Sequence, residues 1–418
     1  MNSLTRRIPA AITALLLVCT FGSLLFAQAQ GVVTAELQHD VTLERNADDA
    51  STCNSSQTLT ETFASGARWE LCWHVAADTG LEIHRLGYAA PGDSLRQVAG
   101  RLSLAQLTLK YDIDALAQEA LSATPGARLQ PLPLSADACP DTAEQLSTPD
   151  GTSQLCRSQH DLNALTHTRE RFTTRRNAVR LFADFQWQQL LLRQWFELTE
   201  DGNITMELLV GGSWNRATAD SAFGGAPVPN ASNENLYAAT ALLQTTWRLD
   251  IDLHDSPEDD RVDEFNFALN SSSSARRAMT ITPLETETAT SVQPEHFRGW
   301  RISDTQGGYY LDPQAAGYRW PLTQDWRQFD LHVSRARDCE RLASRNRHLD
   351  ATCADDLDSI SNNESLAGAD PVLWYSVVRR IAPTSSDFPA LGLRRFRVTL
   401  IPFDWTSDSP FATELREP

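Results

Sequence analysis

Apolar and polar residues alternate at period two in many short runs of this chain, the pattern of a β-strand with one buried face. Trp69-Glu70-Leu71-Cys72-Trp73-His74-Val75 and Leu81-Glu82-Ile83-His84-Arg85-Leu86 follow it, as do Trp247 to Leu253 and Arg395 to Leu400. Leu190 to Phe196 runs through Glu200-Asp201-Gly202-Asn203 into Ile204 to Val210, which predicts two strands joined by a turn. Helical spacing is confined to Ser103–Leu107, Ile113–Leu121 and Arg335–Arg347. Polar stretches at 214–235, 254–263 and 355–369 predict loops. No self-similar repeat stands out, which argues against a propeller or solenoid. The pattern predicts a mainly β protein, a large antiparallel β-sandwich with few short helices.

One apolar run has a different meaning. Arg6 and Arg7 precede Ile8 to Phe26, nearly all apolar, and Ala27-Gln28-Ala29 follows with the small-x-small pattern of a cleavage site. This predicts a signal peptide at 1–29, a polar segment at 30–65 and one β domain at 66–418, periplasmic or secreted, with no membrane span after cleavage. Cys19 lies inside the apolar run after Val18, a poor setting for lipidation. Six cysteines then remain, and an even number in an exported chain reads as disulfides. They fall into sequence-local couples, so the simplest connectivity is Cys53–Cys72, Cys139–Cys156 and Cys339–Cys353. With no CxxC, a zinc ribbon or a thioredoxin-like redox pair has no support.

Composition narrows the function classes. The 418 residues carry 36 Lys+Arg against 54 Asp+Glu, a formal charge of -18, and all the basic residues except Lys110 are arginine. Such a chain has no excess of cations to displace phosphate counterions or to hold an anionic membrane surface. With 41% hydrophobic residues it is too apolar to be disordered.

Little chemistry shows from spacing alone. The 9 histidines form no HxH, HxxxH or HExxH, and no GxSxG, Walker or GxGxxG sequence occurs. Asp255, Glu258, Asp259 and Asp260 make an acidic loop beside His254, which reads first as a solvated turn. Asp250 and Asp252, two apart on a predicted strand, send both carboxylates to one face. Such hard oxygens hold Ca²⁺ when a third acid and backbone carbonyls join them.

Ordered blocks then carry a family resemblance. Over roughly residues 66–418 the chain resembles the catalytic domain of copper amine oxidases. The blocks run from WELCWHVAADTGLEIHRLGY (69–88) and RLSLAQLTLKYD (101–112) through DACP (137–140), Cys156, LTHTRE (165–170) and QWFELTEDGNI (194–204). WRLDIDL (247–253), RGWRI (298–302), GYRWPL (317–322), DPVLWYSVVRRIAPTSSDFP (370–389) and LIPFDW (400–405) follow in the family's order. The resemblance implies a β-sandwich enzyme, usually a homodimer outside the cytoplasm. Such enzymes turn primary amines, oxygen and water into aldehydes, ammonia and hydrogen peroxide, using copper and a topaquinone made from a tyrosine of the chain.

The same resemblance identifies which parts are missing. The cofactor tyrosine, counted back from Trp195, falls on Gln189, and the chain has no Asn-Tyr dipeptide. The copper histidines fall on Ala241, Leu243 and Ile381, none of which offers a lone pair. The segment of the base aspartate is shortened to QEALSATPG (118–126), with no clear Asp. Cu²⁺ and topaquinone are therefore not expected. The family's structural calcium site, by contrast, maps onto Asp250, Ile251, Asp252, Asp370 and Pro371, three carboxylates and two carbonyls. The expected function is a non-catalytic binding or scaffold protein with an unknown protein or small-molecule partner. The alternatives are an oxidase with relocated ligands among His160, His167 and His254, or a structural component of an envelope assembly.

Overall fold

A computed structural model describes residues 57–113, 118–120, 128–135, 137–139, 143–149, 151, 154–161, 165–167, 172–174, 176–228, 236–254, 256–269, 277–312, 325–387 and 389–404. The strands that position the site are β1 (Thr58–Thr62), β2 (Arg68–Ala76), β3 (Gly80–Ala89), β4 (Arg96–Tyr111), β5 (Asn177–Trp187) and β6 (Leu190–Thr199). They continue with β7 (Ile204–Ser213), β8 (Ala241–Asp250), β9 (Arg261–Leu269), β10 (Leu331–Arg335), β11 (Pro371–Ile381) and β12 (Ala390–Phe403).

The first sheet has 9 strands and runs β1-β2-β3-β4-β8-β11-β10, ending on Thr288–Thr290, with Gln118–Glu119 added to β4. The second has 11 and carries β9, β12, β7, β6 and β5 in that spatial order, with short strands between and beyond them. Among the described residues the pairings are antiparallel, as the alternating pattern requires. The first strand, Thr58–Thr62, lies inside the polar segment expected at 30–65, so the sheet begins before residue 66.

One hydrophobic core fills the space between the sheets, and Phe196 of one meets Trp247 of the other edge-on at 6.1 Å. Polar bonds tie the layers as well. Trp69 Nε1 donates to the Thr199 carbonyl at 2.8 Å, and the Tyr88 hydroxyl to that of Glu200 at 2.9 Å. A smaller core on the outer face of the first sheet packs Trp326, Ala343, Leu357 and Ile360 on Val372 and Trp374. Strands β4, β8 and β11 are thus covered on both faces.

That double burial explains the first helix that does not exist. Ser103–Leu107 lies within β4, not a helix. Leu102, Leu104 and Leu107 face the inter-sheet core, while Ala105 faces the outer one. A bulge adds to this: Leu104 stands opposite Trp247 and Gln106 opposite Thr246, so the extra residue breaks period two. Arg335–Arg347 is also not a helix. β10 ends at Arg335, and only Asn346–His348 makes a single 3₁₀ turn. The Asn346 side chain replaces helical bonding there by accepting from the Arg341 and Leu342 amides. Of Ile113–Leu121, Gln118–Glu119 is a strand beside β4, and 114–117 and Leu121 lie outside the described residues. The loops at 214–235 and 355–369 hold short strands and the four-residue helix α1 (Leu357–Ile360), capped by Asp356.

Cys139–Cys156 and Cys339–Cys353 are disulfides. Cys72 is disulfide-bonded too, while its expected partner Cys53, like the leader 1–29, lies outside the described residues.

Candidate metal centre and the emptied copper position

Three carboxylates converge where β8 ends and β11 begins. Asp250, Asp252 and Asp370 each offer an oxygen, and these lie within 4.8 Å of one another. Asp250 is the last residue of β8, so Asp252 is not held by strand pairing as expected from its spacing. Instead its amide donates to the Val98 carbonyl at 3.2 Å, carrying the chain on beside β4 for two more residues. Asp370 directly precedes β11 and accepts the Ala336 amide on its carbonyl at 2.8 Å. Ile251 buries its side chain in the core between the two acids, and Pro371 is buried at the start of β11.

Two of the three carboxylates are fixed on one side and open on the other. Arg248 donates to Asp250 Oδ2 at 2.7 Å and Gln97 to Asp252 Oδ2 at 3.1 Å. The Oδ1 atoms of Asp250, Asp252 and Asp370 are shielded from solvent and have no hydrogen-bond partner. Burial, then repulsion from Asp250 and Asp370, pushes Asp252 up to about 8. Burial and Asp250 push Asp370 up to about 7. Three acids against the single arginine Arg248 leave an electrostatic debt that a divalent cation cancels. Shielded, unpartnered oxygens at this mutual separation fit Ca²⁺. Gln97 and Arg248, which orient the acids, carry no spacing signal that sets them apart in the sequence.

The positions implied for copper tell the opposite story. Ala241 on β8 stands directly opposite Ile381 on β11, and Leu243 lies two residues along β8. The structure does bring these three together, as a ligand set would require. They are 0%, 0% and 1% exposed, and all belong to the inter-sheet core. Tyr111 flanks Ala241 on β4, and Leu109 flanks Leu243. Hydrocarbon fills the place, so the residues present do not fit a copper ion. Gln189 is elsewhere in character: it is half-buried in the β5–β6 turn and donates to Asn215 Oδ1 at 3.2 Å. A glutamine amide cannot become a quinone.

The histidines do not assemble a substitute among the described residues. His160 sits on a strand beside β5 and bonds Ser158 at 2.7 Å. His254 pairs with Asp304 at 2.5 Å, and the side chain of His167 lies outside the described residues. Asp260, read as part of a solvated turn, is instead buried, and its Oδ2 accepts the Leu253 amide at 3.0 Å.

Comparison with known proteins agrees with this architecture. The family model described as copper amine oxidase, enzyme domain, matches residues 194–416, and the chain belongs to that family. No curated protein sequence matches. Among solved structures, a copper-containing benzylamine oxidase from Hansenula polymorpha superposes with a TM-score of 0.66 at 16% identity, covering 85% of this chain and 62% of that one. An Aspergillus nidulans amine oxidase gives 0.67 at 15%, covering 91% and 57%. Pichia pastoris lysyl oxidase gives 0.64 at 14%, covering 93% and 61%. The chain thus spans less than two-thirds of the length of these proteins, and the likeness is one of fold.

Proposed function

We propose that this chain is a non-catalytic member of the copper amine oxidase family, exported, that keeps the β-sandwich as a binding or scaffold domain around a structural Ca²⁺. The observation that carries the reading is the packing of Ala241, Leu243 and Ile381 into the inter-sheet core. Copper and its quinone need a polar, roomy site with lone pairs, and close-packed aliphatic carbon supplies neither. The convergent oxygens of Asp250, Asp252 and Asp370 support the calcium part. Two disulfides are compatible with a periplasmic or extracellular location. Among the described residues no helix is long and apolar enough to cross a membrane.

Purified full-length chain tests the proposal directly. Elemental analysis is expected to find calcium and only trace copper. A quinone stain should be negative, and peroxide release from primary amines such as benzylamine should stay at background. Stoichiometric copper together with amine-dependent peroxide would sink the reading.

A further inference from the structure

Every residue of the strand Arg277–Pro283 is exposed, and the strand forms one end of the 11-stranded sheet. Strand β9 pairs with one side of it, and among the described residues no strand pairs with the other. The Leu284 amide donates to the Val262 carbonyl at 2.9 Å, which sets the phase of the ladder. Bonded positions alternate in an antiparallel pair, so Thr280 and Thr282 bond to β9. The amides and carbonyls of Met279 and Ile281 then point away from the sheet. Another extended backbone is what offers donors and acceptors at the matching spacing.

The side chains along this edge are apolar. Met279 and Ile281 are 46% and 39% exposed and stand opposite Phe267 and Phe265. Phe265 meets Tyr310 with ring centres 5.4 Å apart, and Tyr310 meets Phe403 at 4.4 Å, so the apolar row continues across the sheet. Open edges are commonly blocked by shortness or by a charge. At the other ends of the two sheets, Glu144–Ser147 carries Glu144, Thr58–Thr62 carries Glu61, and Thr288–Thr290 has 3 residues. Arg277–Pro283 has its charge and its proline only at its ends, and from Phe265 to Leu284 the sequence holds no acid. A second copy fits this edge poorly. Two such strands paired antiparallel about Thr280 would set Pro283, which has no N–H, against Arg277 at both ends. They would also join two chains of formal charge -18. An extended segment of another protein, with a carboxylate to meet the locally unopposed Arg277, matches both the backbone and the charge.

We propose that Arg277–Pro283 is a docking edge for such a segment, joined by β-strand addition with apolar side chains over Met279 and Ile281. The inference gives the binding role proposed above a partner and rests on that reading; peptide binding and copper content are measured separately, so either can fail alone. Fluorescence anisotropy of a labelled peptide, Val-Thr-Val-Thr-Val-Thr-Glu, titrated with the purified full chain tests it. Saturable binding is expected. Met279→Pro removes an outward N–H and no bond to β9, and should weaken binding about tenfold, the worth of one backbone hydrogen bond. Ile281→Lys adds the missing charge without demanding a new backbone shape, should weaken binding by a similar factor, and covers the case in which the proline variant misfolds. Lysine in place of the peptide's glutamate should cost about threefold. No saturable binding, binding unchanged in both variants, or equal binding of the lysine peptide would overturn the proposal. So would a concentration-dependent dimer in sedimentation that Ile281→Lys abolishes, which assigns the edge to a second copy instead.

Discussion

Asp252 shows how a single side chain is held in an unfavourable state until something binds it. Its carboxyl is crowded by Asp250 and Asp370, steadied by Gln97, and cramped from behind, since a Cβ on Gly100 would stand 2.3 Å from its Oδ2. Gly100 is thus a glycine because the acid needs its space. A cation that binds only the folded chain stabilises it by mass action. Saturating calcium is expected to raise the melting temperature by roughly 5 °C for a domain of this size. In Asp252→Asn most of that increment should vanish in a thermal-shift assay, while the melting temperature in chelator stays level or rises. An equal calcium increment in the variant would remove Asp252 from the site.

At the level of elements, β10 carries an unusual burial. His332 stands opposite Trp374, has an aromatic neighbour in Phe329, and is 1% exposed with no hydrogen-bond partner on either ring nitrogen. Burial pushes its pKa down to about 3. The unfolded chain therefore takes up this proton more readily than the folded one, and stability falls as pH drops from about 6.5 toward about 3. Denaturation midpoints measured across that window should decline in the parent and decline less in His332→Leu. Parallel curves would disprove the linkage. The strands themselves were legible where one face meets solvent, as in β2 and β12, because alternation survives there. It was lost in β4, where two covered faces bury apolar and polar residues alike and a bulge breaks the count of two. The site was legible in the same uneven way. Asp250 and Asp252 share a short run, but Asp370 joins them only through the fold. Nothing local told Asp260 from its solvated neighbours, because its burial comes from packing against distant segments.

For the whole molecule, the two sheets must stay in register, and Gln194 is one of the bolts. Fully buried on β6, it accepts the Leu81 amide at 3.0 Å and donates to the Leu81 carbonyl at 2.6 Å, as a neighbouring strand would. Gly80, at φ +74, leaves room for it, since a Cβ there would sit 2.2 Å from Gln194 Oε1. Gln194→Leu strands both backbone groups of Leu81, and about 2–4 kcal/mol of stability should be lost in a chemical denaturation series. A loss below about 0.5 kcal/mol would show that the sheets are joined by the core alone. The aliphatic cluster of Ala241, Leu243 and Ile381 acts on a longer timescale. Any one of them changed to histidine would place an unpartnered imidazole in close-packed carbon, and only a complete set with its metal could offset that cost. The packing therefore works as a ratchet: a single imidazole costs stability before any metal could repay it, so a ligand set at this place has to arrive whole.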